Sequence, residues 1–115
     1  MDTEIRTYNF AINTIKLVNQ FPKTTAAFII GKQLIRSGTS INSNIIHAKN
    51  SLSKKEFTYY LNISRKEAKE TKSWLLMSID ADLIKKERAS KLLDEIEEII
   101  KILVKSVKTL QKKYY

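Results

Sequence analysis

Residues 25–50 read TAAFIIGKQLIRSGTSINSNIIHAKN, and the fold turns on whether this stretch is one helix or a helix interrupted by a loop. Two signals conflict in it. Ala27, Gly31, Leu34, Gly38, Ile41, Ile45 and Ala48 keep a four-three spacing without a slip. Yet the segment from Arg36 to Asn44 is rich in Ser, Thr, Asn and Gly, and on propensity alone it reads as loop. Propensity is the weaker signal, because a loop has no reason to preserve an apolar phase from one side to the other. The spacing predicts one helix over 25–50. The small residues on its seam let a neighbouring helix come close.

Working outward, the only proline sits in the turn Phe21-Pro22-Lys23-Thr24-Thr25, where it stops one helix and Thr24 or Thr25 caps the next. Before it, Ile5, Tyr8, Ile12 and Ile15 recur at helical spacing, with Ala11 and Val18 widening the stripe, and predict a helix over 5–20 with that face inward. After it, Ser51 or Ser53 caps a third helix over 53–80, and Glu56 stands three residues beyond Ser53 as a capping-box partner. A short connection around Asp80 to Ile84 leads to a fourth helix over 85–112, carried by Ala89, Leu92, Ile96, Ile99, Leu103, Val107 and Leu110. Helices of this length with short connections pack antiparallel, so the expected fold is an all-α, up-down-up-down four-helix bundle forming a single domain over 1–115.

Composition narrows the function classes. The 115 residues contain no Cys and one His, which removes disulfide frameworks, thiol nucleophiles and most zinc and di-iron sites. No apolar run is long enough to span a membrane, and the acidic N-terminus lacks the apolar core of a signal peptide. A cytoplasmic protein without a membrane partner is expected. The 21 basic and 12 acidic residues give a net charge of +9, and this charge is uneven. Residues 1–31 carry +1, 32–72 carry +6, 73–100 carry −3 and 101–115 carry +5. Lys54 and Lys55 open the third helix, Arg65, Lys69 and Lys72 form a stripe along it, and Lys105, Lys108 and Lys112 belong to the basic tail. These eight are the candidate contacts to the phosphate backbone of RNA or DNA.

The third helix carries two apolar sets. One runs through Phe57, Leu61, Ser64, Ala68, Thr71, Leu75 and Ser78; the other, roughly opposite, contains Tyr59, Tyr60, Ile63, Trp74 and Met77. A bundle helix needs one buried stripe, so a second implies a further covered surface. Self-association is the simplest cover, with Tyr60, Ile63, Trp74 and Met77 as interface residues. Glu67 and Glu70 lie among them. A di-iron site would need Glu-x-x-His on two helices, and the only histidine is His47, so the carboxylates are read as partners of a basic side chain. No Walker loop, dinucleotide fingerprint or nucleophile elbow occurs, and neither a metal, a cofactor nor a catalytic residue is expected.

The stretch from Arg36-Ser37-Gly38-Thr39-Ser40-Ile41 through Asn44-Ile45 and Ala48, then Ser53-Lys54-Lys55-Glu56-Phe57, then Lys66-Glu67-Ala68, Glu70-Thr71 and Trp74-Leu75 forms a combined motif. It closely resembles the four-helix bundle proteins encoded in intervening sequences of bacterial 23S ribosomal RNA genes. That family looks related to the accessory variability determinant of diversity-generating retroelements. The resemblance implies an antiparallel bundle assembling as a homopentameric ring. For the retroelement relatives it implies binding of nucleic acid and of a reverse transcriptase through a basic surface. Arg36, Asn44, Glu67 and Glu70 match the family's polar positions and are read as a packing and hydrogen-bond network. One position departs: His47 stands where the family usually has Glu. The expected function is that of a non-enzymatic homo-oligomer that binds RNA or a ribonucleoprotein, with a protein-interaction scaffold, such as a reverse transcriptase accessory subunit, as the alternative.

Overall fold

A computed structural model describes residues 2–115. Four helices follow one another: α1 (Thr3–Val18), α2 (Thr25–Lys49), α3 (Lys54–Asp80) and α4 (Lys86–Tyr114). The polar segment Arg36–Asn44 is helical throughout, so the apolar phase prevails over propensity. Its side chains find local partners: Thr39 and Ser40 donate to the Ile35 and Arg36 carbonyls at 2.8 and 2.7 Å. Each helix contacts only its neighbours around the bundle, α1 with α2, α2 with α3, α3 with α4 and α4 with α1. The result is an antiparallel all-α bundle 46 Å long.

The ends follow from capping. α1 starts two residues before the apolar spacing does, because the Asp2 carboxylate accepts the Glu4 N–H at 2.6 Å. That bond also holds the Asp2 carboxyl below its ordinary range. Thr24 caps α2 through the Ala27 N–H, and Ser53 caps α3 through the Glu56 N–H. α3 closes with Leu83 N–H donating to the Ser78 carbonyl and Asp82 N–H to the Ile79 carbonyl, the Schellman arrangement. Asp82 takes the left-handed conformation it requires, φ 60°.

The core is built from Phe10 and Leu17 of α1, Leu34, Ile41 and Ile45 of α2, Leu61, Ala68 and Leu75 of α3, and Ile96, Ile99 and Leu103 of α4. One face expected from the sequence is reversed. α1 buries Thr7, Phe10, Ala11, Thr14 and Leu17, whereas Ile5 and Tyr8 are exposed and Ile12 and Ile15 only half-buried. The reason lies in the two threonines. Their hydroxyls donate to carbonyls four residues back, Thr7 to Thr3 at 2.8 Å and Thr14 to Phe10 at 2.9 Å, so they enter the core with their polar atoms satisfied. An apolar count passes over such residues.

Small residues let α2 approach both neighbours. A Cβ added at Gly38 would stand 3.0 Å from Thr14 Cγ2, and one at Gly31 would stand 2.8 Å from Val18 Cγ1. Toward α3, Ser64 donates to the Ile41 carbonyl at 2.8 Å, and the Thr71 and Ser37 hydroxyls lie 2.9 Å apart. Gly38→Ala alone is expected to lower stability by about 1 kcal/mol, because buried Thr14 must move. Combined with Thr14→Ser, which removes the obstructing methyl, the alanine regains about 0.5–1 kcal/mol of helix propensity. Urea denaturation of the two single variants and the double variant measures that coupling, and additive effects would contradict it.

Candidate functional site

Hydrogen bonds orient the helices and thereby define the sides of the bundle. The basic side is the outer face of α3 and α4. Arg65 and Lys69 of α3 meet Lys108 of α4 around a cavity of about 250 Å³, whose other lining residues are Asn62, Val104, Val107 and Gln111. No carboxylate lines it. Asn62 Oδ1 accepts from Arg65 Nε at 2.7 Å, which fixes the guanidinium and leaves its remaining N–H groups for a ligand. Next along the face, Lys55 lines a shallow groove with Tyr59, Asn62, Gln111 and Tyr115. The Tyr115 hydroxyl donates to the Lys55 carbonyl at 3.2 Å. Lys54 is exposed in the first turn of α3, and Lys112 is exposed near the end of α4.

Lys54 and Lys112 line neither cavity nor groove, and two further candidates have other surroundings. Lys72 points across to α4 and pairs with Glu97, so its charge is already engaged. Lys105 lines a different, larger cavity of about 690 Å³ at one end of the bundle, where Asp2, Glu4 and Lys49 also stand. Helical geometry explains both. Lys72 sits over the acidic half of α4, and Lys105 turns about 60° away from Lys108 around the helix axis. Asn62 stands beside the basic stripe in the sequence, three residues before Arg65, whereas Gln111 carries no such signal because it comes from the neighbouring helix.

The residues expected at a self-association surface lie on the outer face of α2 and α3. Arg36 of α2 donates to Glu67 at 3.2 Å and to Glu70, and its Nε donates to Gln33 at 3.3 Å. Asn44 takes no part in this cluster: it donates to the Ser40 carbonyl of its own helix at 2.8 Å. Tyr60 is half-buried beneath His47, with ring centroids 5.1 Å apart, so an aromatic contact occupies the position where a carboxylate is usual in the resembled family. Ile63 is half-buried and Met77 exposed. Trp74 packs against the core, and its indole Nε1 is buried without an acceptor among the described residues. Of α3's two apolar sets, the one through Leu61, Ala68 and Leu75 faces inward.

Among the described residues no three His, Cys, Asp or Glu side chains gather as a metal-ligand set, and no helix is long and apolar enough to cross a membrane. The geometry is that of an antiparallel four-helix bundle with a carboxylate-free cluster of three cations on one side and an ion-pair cluster on another. This class takes a definite family. Residues 4–105 match the family described as 23S rRNA-intervening sequence protein, and the chain belongs to it. The chain is also similar to a protein of unknown function from the S23 ribosomal protein family of Bacteroides thetaiotaomicron, known from a crystal structure. The two are 33% identical over 93% of this chain and 99% of that one, with a TM-score of 0.86. No curated protein matches the chain significantly.

The Arg36 cluster is open to water in the single chain, its arginine side chain 49% exposed. Solvent screening then leaves Arg36→Ala a cost below about 1 kcal/mol. Thermal unfolding of the variant at a dilution where the protein is monomeric checks this value. A loss of several kcal/mol would mean that the cluster holds the bundle together.

Proposed function

We propose that this protein is a non-enzymatic, homo-oligomeric bundle that binds structured RNA through the outer face of α3 and α4. The observation that carries the reading is the segregation of charge. Arg65, Lys69 and Lys108 converge on one carboxylate-free cavity, and the sequence from residue 99 onward holds no acidic residue. Unpaired cations on rigid helices, with amides between them, suit the phosphate backbone and supply no base-specific readout. RNA is the preferred polyanion because the chain's family is described by a ribosomal RNA intervening sequence.

Self-association strengthens this reading physically. Copies arranged in a closed ring, five by the family resemblance, repeat the same basic face and raise the local field well above that of one chain. Glu67 and Glu70 act as structural partners of Arg36 in this view and not as an acid–base pair.

Affinity for a structured RNA should fall steeply as salt rises, with a log–log slope that reports the number of phosphates contacted. Reversing Arg65, Lys69 and Lys108 together to Glu should lower affinity by at least 100-fold at moderate salt. Reversing Lys72, already paired with Glu97, should have the smaller effect. Fluorescence anisotropy across a salt series decides it: a flat series, or an unaltered triple variant, would refute the basic-face reading and favour a protein partner.

A further inference from the structure

We infer that the outer face of α1 and α2 is the surface that docks onto the α2/α3 face of a second copy of this chain. The inference rests on the self-association proposed above and assigns its two halves. It begins from the reversed face of α1. Tyr8, Ile12 and Ile15 stand on the flank of α1 next to α2, and α2 answers with Phe28, Ile35 and Ile46 on the flank next to α1. The pairing of the helices fixes their levels. Thr14 meets Gly38, and Asn42 donates to the Glu4 carbonyl and the Thr7 hydroxyl, which brings Ile15 level with Ile35 and Ile5 level with Ile46. One apolar strip therefore runs along the outer side of this helix pair. At its Pro22 end it deepens into a groove lined by Val18, Phe21, Pro22, Phe28 and Ile35.

The size of the strip matches a partner's. Ile5, Tyr8, Phe28 and Ile46 are 55, 56, 73 and 40% exposed. With their half-buried neighbours they present roughly 500–600 Å² of apolar surface, at the upper end of what single chains tolerate. A stable interface buries about 800 Å² per partner, some two-thirds of it apolar in its centre, so the strip alone supplies the apolar share of one side.

The α2/α3 face is its complement in chemistry. The sequence has no carboxylate between residues 5 and 55, so the groove end is rimmed only by cations, Lys23 and Lys32. At the far end Lys49 already pairs with Asp2 and Glu4. The α2/α3 face offers what this strip lacks: Glu67 and Glu70 share one cation, Arg36, which leaves one negative charge over, and about two turns along, the same register brings exposed Ile29 and Met77 level with each other. The two faces lie on adjacent sides of the bundle, sharing α2. Repeating a head-to-tail contact between adjacent sides turns the chain of copies, the condition a closed ring needs, whereas opposite sides would extend a filament. The basic α3/α4 face stays free.

Two variants test the pairing by light scattering at micromolar concentration. One breaks the strip, Tyr8→Glu with Phe28→Glu; the other breaks the complementary face, Ile29→Glu with Met77→Glu. All four side chains are exposed, so helicity and cooperative melting should match the wild type. Phe28→Ser, which leaves α1 untouched, should weaken assembly in the same direction. Each double variant alone should be monomeric, and an equimolar mixture should give a one-to-one heterodimer, because each then keeps the half that the other lost. A strip variant that stays fully assembled overturns the inference while leaving self-association intact. So does a mixture that stays monomeric, or a strip that pairs with itself so that only its own variant dissociates. A wild-type monomer overturns the self-association reading itself.

Discussion

The close approach of α2 to two neighbours at once is the constraint from which the rest of the structure follows. Gly31 and Gly38 leave no room for a Cβ on the α1 side, and Ser37 meets Thr71 on the α3 side. A helix carrying larger residues at these positions would hold its partners further off, and the bond to the Ile41 carbonyl that satisfies the buried Ser64 hydroxyl would open. Small residues weaken a helix in isolation. Here tertiary packing outweighs that cost, which is why the sequence between Arg36 and Asn44 resembles a loop and behaves as the centre of the fold.

The same constraint orders the outer surface. With α2 seated deeply between α1 and α3, its two flanks become the seams of two adjacent faces. One face is apolar with cations at its rim; the other carries aromatic rings and the Arg36, Glu67 and Glu70 cluster. On the far side, α3 and α4 bring Arg65, Lys69 and Lys108 together without a carboxylate. A net charge of +9 spread evenly would oppose every contact between copies. The uneven distribution is what the proposed contacts between copies and with a polyanion both depend on.

How much of this was legible in the sequence depends on the residue type. Apolar phase located all four helices; in α3 it marked two stripes without deciding which faces inward, and the structure buries the one through Leu61, Ala68 and Leu75. The phase misassigned α1. Thr7 and Thr14 are fully buried there, and a threonine's suitability for a core depends on whether its hydroxyl can reach the carbonyl one turn back. That is a property of the formed helix and not of the residue's hydropathy. Among the charged residues the limit was different. Arg65, Lys69 and Lys72 share a stripe, but whether a lysine on it is free depends on what the next helix offers. Glu97 faces Lys72, and Asn62 with Gln111 faces the others.

That misreading of α1 bears on function. Ile5, Tyr8, Ile12 and Ile15 keep a helical spacing, and such order on an exposed face calls for a physical cause as much as order in a core does. Isolated surface isoleucines and tyrosines are ordinary; a periodic row of them beside a second row on α2 is a surface with a definite shape. Under the pairing inferred above, this spacing would report contact between two chains and not packing within one. The residues that looked like the core of one chain carry the pattern of a core that two chains would share. The interior of the single chain is already filled by Phe10, Leu34, Ile41, Leu75 and Ile96, so this row contributes nothing to it.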